Sequence, residues 1–167
     1  LADYSFDNYR RVIEGKTAAL LAAACAGVGL LAGADAAALE ALERFAMAYG
    51  RAFQMQDDYL DLLGDPATLG KPVGGDLREG KATYAVLVLL LDAGVEEARA
   101  ILERRAAQPG DVERMAELVR RHGAHHLARE RITAEAEAAL AALEGFPPSP
   151  ARSALAALAE GEIARVA

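Results

Sequence analysis

The sequence predicts an all-α protein, and three observations carry that expectation. Alanine and leucine fill most apolar positions, which favours helix over sheet. In the longest apolar run, hydrophobic residues recur at spacings of three and four. Glycine and proline gather in clusters between such runs. The 167 residues are 53% hydrophobic, enough for a substantial core, and only 5% aromatic, with no tryptophan. This length suits one domain.

Residues 6–33 predict the first helix, apolar all round in its second half. Within it, TAALLAAACAGVGLLAGA (17–34) carries no charge over 18 residues, the lower limit for a membrane span. Its alanine and glycine content makes insertion poor, and no aromatic belt or basic cluster flanks it. The expectation is therefore a buried core helix and no transmembrane segment.

Residues 36–63 predict the second helix, with Leu39, Leu42, Phe45, Ala46, Tyr49, Ala52, Phe53 and Gln56 at helical spacing. Asp35 is the candidate N-cap, and Gly64-Asp65-Pro66 the stop. The next stretch, GDPATLGKPVGGDLREG (64–80), has no periodicity and reads as a long loop, the kind that is usually functional or disordered. Residues 84–91 are rich in leucine and β-branched residues, so a buried strand rivals a buried helix. Helix is preferred because nothing nearby offers a partner strand. Further helices are expected over 95–107, 111–122, 124–144 and 150–165.

Charge narrows the function classes. Eighteen basic residues against 25 acidic ones give a net charge of −7 without a basic patch, which argues against a nucleic-acid partner. Cys25 is the only cysteine, so no internal disulfide can form, and a reducing, cytoplasmic setting fits.

The end of the second helix, QMQDDYLDLLGD, carries Asp57, Asp58 and Asp61 within five residues. Carboxylates at such spacings repel by roughly 0.2–0.5 kcal/mol per exposed pair. They also lie at a helix C-terminus, where the macrodipole disfavours anions. A bound cation relieves both problems. No histidine or cysteine is nearby, which argues against zinc; all-oxygen ligation means Mg²⁺, Mn²⁺ or Ca²⁺, and the spacing fails the EF-hand pattern. Mg²⁺, with Mn²⁺ as an alternative, takes one or two carboxylates and completes its shell with water and phosphate oxygens. That predicts a phosphate-bearing ligand. Lys71 and Lys81 flank the glycine-rich loop, and Gly70, Gly74 and Gly75 offer backbone N–H groups for anionic oxygens. Lys16 is a lone cation entering an apolar helix, best explained by a nearby anion. Gly15-Lys16-Thr17 is not a P-loop, because the earlier glycine and the strand are missing. His122, His126 and Glu130 read as a solvated helix junction rather than a metal site.

Residues 53–91 resemble the second aspartate-rich region of the trans-isoprenyl diphosphate synthases, the polyprenyl synthetase family. The family pattern is F-Q-x-x-D-D-x-x-D, then G-K-P-x-G-x-D-L-x-x-G-K-x-T. Phe53, Gln54, Asp57, Asp58, Asp61, Gly70, Lys71, Pro72, Gly74, Asp76, Leu77, Gly80, Lys81 and Thr83 meet its fixed positions. Lys16-Thr17 is similar to the family's upstream K-T pair. The resemblance implies a helical bundle of the isoprenoid synthase type and a prenyltransferase of the geranylgeranyl or farnesyl kind. It implies Mg²⁺-dependent head-to-tail condensation of an allylic diphosphate with isopentenyl diphosphate, in a homodimer. Asp57 and Asp61 would ligate Mg²⁺, with Asp58 acting directly or through water. Lys16, Lys71 and Lys81 would hold the allylic diphosphate, Thr17 and Gln54 would support that site, and Phe53 would line the homoallylic side.

The chain lacks the family's first aspartate-rich motif with its arginine pair, and the G-K-x-x-R-P segment. Tyr84-Ala85 stands where the family often has Leu-Pro. With Leu1 as the first residue, the expectation is that residues 1–167 are the C-terminal portion of a single polyprenyl synthetase domain, inactive in isolation. Two other readings remain at this point. One is a non-catalytic subunit of a heteromeric prenyl synthase, although such subunits often lose their aspartates. The other is a terpene cyclase, although that class typically pairs its aspartates with an Asn, Ser/Thr and Glu motif.

Overall fold

Asp35 starts the longest helix as its side chain predicts: Oδ1 accepts a hydrogen bond from the Ala38 N–H at 2.8 Å. The computed structural model describes residues 4–166, and among these it contains helices and connections but no strand. The helices are α1 (Phe6–Ile13), α2 (Ala19–Leu31), α3 (Ala36–Leu63), α4 (Pro66–Leu69), α5 (Gly75–Arg78), α6 (Tyr84–Leu87), α7 (Glu96–Glu103), α8 (Asp111–Arg121), α9 (Ala124–Ala142) and α10 (Pro150–Val166). Two π-helical segments punctuate them, Glu14–Ala18 between α1 and α2, and Val88–Asp92 after α6. The all-α expectation holds, and α3 keeps its expected bounds.

Four departures have physical causes. First, the helix expected over 6–33 runs from Phe6 to Leu31 and is locally widened by the π segment Glu14–Ala18. Second, residues 64–80 are not structureless. Asp65 ends α3 and also caps α4, accepting from the Ala67 N–H (3.1 Å), the Thr68 N–H (3.3 Å) and the Thr68 hydroxyl (2.7 Å). These bonds, the Thr68 hydroxyl first, hold its carboxyl below the usual range. Pro66 follows at the first helical position, where its fixed φ suits a helix start. Third, the helix expected to reach residue 107 ends at Glu103, because Arg105 and Ala106 turn to φ 55° and 49°.

Fourth, residues 17–34 do not form a buried core helix. Only Ala18, Ala22 and Gly29 of that stretch are buried, whereas Leu20 is 74% and Leu31 92% exposed. The packed face is made of small residues. A Cβ on Gly29 would meet Leu39 Cδ2 at 2.8 Å, and one on Gly50 would meet the Ala18 Cα at 2.5 Å. Close approach therefore needs alanine and glycine on the inner face and leaves the larger leucines on the outer one. The continuous stretch Phe6–Leu31 is long and apolar enough to cross a membrane by length and composition.

The chain divides into two compact units, Leu1–Tyr9 with Asp57–Arg129, and Arg10–Gln56 with Glu130–Ala167. In the first, Val86, Leu89, Ile101, Leu102, Met115 and Val119 are buried in one core. Residues 85–90 are all buried, so the leucine-rich run is a core helix and not a strand. Asp111 is buried at the start of α8 and pairs with Arg104 through two hydrogen bonds of 2.5 and 2.8 Å. The Arg104 guanidinium holds the Asp111 carboxyl below its usual range.

In the second unit, Phe45, Ala46, Ala139, Leu143 and Ala159 form the core. Arg51 sits between two carboxylates, Glu135 at 2.8 Å and Glu14 at 3.1 Å, and Glu135 also bonds Arg131. Glu135 is buried, so removing Arg51 would strand a charge out of water. Gln56 is fully buried, and neither its amide nitrogen nor its oxygen has a hydrogen-bonding partner among the described residues. An unmet buried amide costs about 1–3 kcal/mol. Gln56→Met, a similar volume without the polar atoms, is expected to raise the melting temperature. A fall would show that an internal water satisfies the amide.

Candidate functional site

The three aspartates at the end of α3 lie on one helix but face three surroundings. At 3.6 residues per turn, Asp57 and Asp61 share a face, and Asp58 is turned about 100° from Asp57. Asp57 is exposed, with Lys71 Nζ 3.6 Å from its Oδ1. Asp58 is buried at 8% exposure, and its Oδ2 accepts a hydrogen bond from the Tyr9 hydroxyl at 2.8 Å. Asp61 is half-buried, and its Oδ2 accepts from the Asp76 N–H at 2.9 Å. Among the described residues no three acidic, histidine or cysteine side chains are gathered as a ready-made metal cage. The arrangement suits an ion that takes one or two carboxylates, not one that needs a closed protein shell.

The glycine-rich loop does different work from that expected of it. The Gly74 N–H donates to the Asp61 carbonyl at 2.5 Å, and the Gly70 N–H to the Pro66 carbonyl at 3.0 Å. Both amides are spent inside the fold, so they are not the anion-binding groups that the sequence suggested. The reason is local geometry: Gly70, at φ 66°, closes α4, and Gly74, at φ 80°, precedes α5. Gly74 also admits no side chain, since a Cβ would stand 2.6 Å from both Val112 methyl groups. Lys81 reaches Glu79 at 2.5 Å and Asp76 at 3.0 Å, and these carboxylates, Glu79 first, hold its ammonium above the usual range. Asp76 therefore links two expected site residues, with its N–H on Asp61 and its side chain on Lys81.

In the second unit, Lys16 and Thr17 both lie in the π segment. Such segments appear often at functional positions. The Thr17 hydroxyl donates to Gln54 Oε1 at 2.9 Å, so the structure brings together the two residues expected to support the site. Lys16 is exposed and forms no ion pair among the described residues, so no protein carboxylate supplies the anion that its position suggested. Phe53 is 41% exposed and packs beside Tyr49, with ring centroids 6.2 Å apart.

Three contributing residues escaped the sequence reading. Tyr9 is one; it stands seven residues, two helical turns, before Lys16. Burial, and then the Asp58 carboxylate, push its phenol well above the usual range. Asp76 is the second, a fixed position of the family pattern with no role assigned to it. Gly50 is the third, one turn before Gln54 and pressed on Ala18. Gly50→Ala gains helix propensity, roughly 1 kcal/mol, yet would force the π segment away from α3. A net loss of about 1 kcal/mol or more in denaturant unfolding is expected. Unchanged or higher stability would show that the contact is loose.

Comparison with known proteins places the sequence and its fold. Residues 1–119 match the polyprenyl synthetase family. The chain is 41% identical over 159 residues to a geranylgeranyl diphosphate synthase of Mycobacterium tuberculosis, covering 93% of this chain and 45% of that protein. A polyprenyl synthase of Caulobacter crescentus, solved with calcium and isoprenyl diphosphate, superposes with a TM-score of 0.87 at 38% identity, covering 98% of this chain and 51% of that one. A geranylgeranyl pyrophosphate synthase of Corynebacterium glutamicum, solved with isoprenyl diphosphate and magnesium, gives 0.83 at 34% identity, covering 98% and 48%. The chain spans about half the length of the curated relatives it matches.

Proposed function

The chain belongs to the polyprenyl synthetase family, and on that premise we propose that it is the C-terminal portion of one prenyltransferase domain. The complete enzyme would build a linear (E)-polyprenyl diphosphate from an allylic diphosphate and isopentenyl diphosphate. The allylic C–O bond breaks and diphosphate leaves. The allylic cation forms a C–C bond with the double bond of isopentenyl diphosphate, and loss of a proton restores an alkene.

In this reading Asp57 and Asp61 hold Mg²⁺ from one face of α3, and Asp58 supports them from the side. A bound Mg²⁺ supplies charge neutralisation for the departing diphosphate. Mn²⁺ offers the same hard-oxygen preference, and the calcium and magnesium of the two related structures indicate divalent ions of that type. Lys16, Lys71 and Lys81 spread the charge of the allylic diphosphate, which is electrostatic stabilisation of a leaving group. Thr17 and Gln54 fix the segment that carries Lys16. Phe53 offers an apolar ring to the homoallylic side. We assign the complete enzyme to the cytoplasm as a homodimer.

The observation that carries the proposal is the pairing of Asp57 with Lys71, 3.6 Å apart and both about half exposed. An anion donor for a metal and a cation donor for a phosphate stand side by side, open to solvent. All three aspartates are present, which favours a catalytic chain over a non-catalytic subunit. In the complete enzyme, with Mg²⁺ and both diphosphates, Asp57→Ala is expected to lower the rate of prenyl elongation by orders of magnitude. Asp65→Ala, which only uncaps α4, should change it little. Equal effects would contradict the assignment, and elongation by the 167-residue chain alone would contradict the incomplete-site reading.

A further inference from the structure

We propose that Tyr9 is a positioning residue for the metal site, acting through Asp58; this rests on the metal reading of the aspartates given above. The Tyr9 hydroxyl is fixed by the carboxylate it meets. Its proton goes to Asp58 Oδ2 at 2.8 Å. A carboxylate can only accept, so the hydroxyl proton is directed at Asp58. The ring is held as well: Tyr84 lies 6.2 Å from Tyr9 and 5.2 Å from Phe6, centroid to centroid, both tilted. Tyr9 is therefore a rigid donor placed 49 residues away in sequence from the group it fixes.

The consequence falls on Asp58. A buried carboxylate next to Asp57 and near a helix C-terminus is disfavoured as an anion unless it is hydrogen-bonded. A charge-assisted bond from a phenol stabilises it and commits one of its two oxygens. The bond thereby sets the orientation of the carboxylate relative to a metal or a metal-bound water. Partners of this kind orient ligating carboxylates, and their loss typically weakens metal binding about 10- to 100-fold.

The test is Mn²⁺ affinity by electron paramagnetic resonance in the complete protein. The forms compared are the unaltered protein, Asp57→Asn, Asp58→Ala, Tyr9→Phe, and Tyr9→Phe combined with Asp58→Ala. Tyr9→Phe keeps the ring and is expected to weaken Mn²⁺ binding about tenfold or more. In the Asp58→Ala background the same change is expected to have no effect, because a residue acting through another loses its influence when that residue is removed. Unchanged affinity in Tyr9→Phe, or an equal loss in both backgrounds, would overturn the proposal. If Asp57→Asn weakens Mn²⁺ while Tyr9→Phe does not, the positioning role alone falls. If Asp57→Asn has no effect, the metal reading falls and takes this proposal with it. A second readout needs no Tyr9 variant. Saturating Mg²⁺ should perturb the near-ultraviolet tyrosine absorption of the unaltered protein and not that of Asp58→Ala. A silent spectrum in the unaltered protein would overturn the proposal as well.

Discussion

Three carboxylates in the last turns of α3 repel one another and oppose the dipole of the helix that carries them. Much of the first unit is arranged around that conflict. Asp57 is turned to solvent and to Lys71, Asp58 is taken inward by Tyr9, and the chain folds back over Asp61. The fold-back is what makes the loop specific. Two amides, of Gly74 and Asp76, close on the carbonyl and carboxylate of one residue. Gly74 must be glycine twice over, for its positive φ and for its distance from Val112. The loop thereby brings Lys81 to Asp76 and Lys71 to Asp57 without a long helix to hold either lysine.

The second unit solves a different problem, that of placing a lysine and a threonine on a helix of small residues. Glycine and alanine at the contacts let α2 and the π segment approach α3 more closely than larger side chains allow. The π segment changes the local rotation of the helix, and the Thr17–Gln54 bond fixes the result. The same choice of small inner residues exposes Leu20 and Leu31, so the apolar character of α2 does not translate into burial.

Much of this was legible in the sequence, and the failures share a cause. The bounds of α3 were readable because Asp35 and Gly64-Asp65-Pro66 are local signals, and caps act within a few residues. The buried helix at 84–91 was readable because a strand needs a partner. The aspartates stood out because their repulsion is also local. What escaped depends on distant partners. Nothing near Tyr9 says that its hydroxyl meets a carboxylate 49 residues on. Nothing near Gly70 or Gly74 says that their amides turn inward rather than toward a ligand. A uniformly apolar run such as 17–34 has no periodicity to say which face packs, and the answer lies in which neighbours are glycine.

The central claim is that the aspartates at the end of α3 and the lysines of the loop act together on a metal-bound diphosphate. Calorimetric titration of inorganic pyrophosphate into the complete protein, with Mg²⁺ and then with a chelator, tests it most directly. The account predicts much tighter binding with Mg²⁺, and a collapse of that difference in Asp57→Asn. Equal affinity with and without Mg²⁺ in the unaltered protein would contradict it.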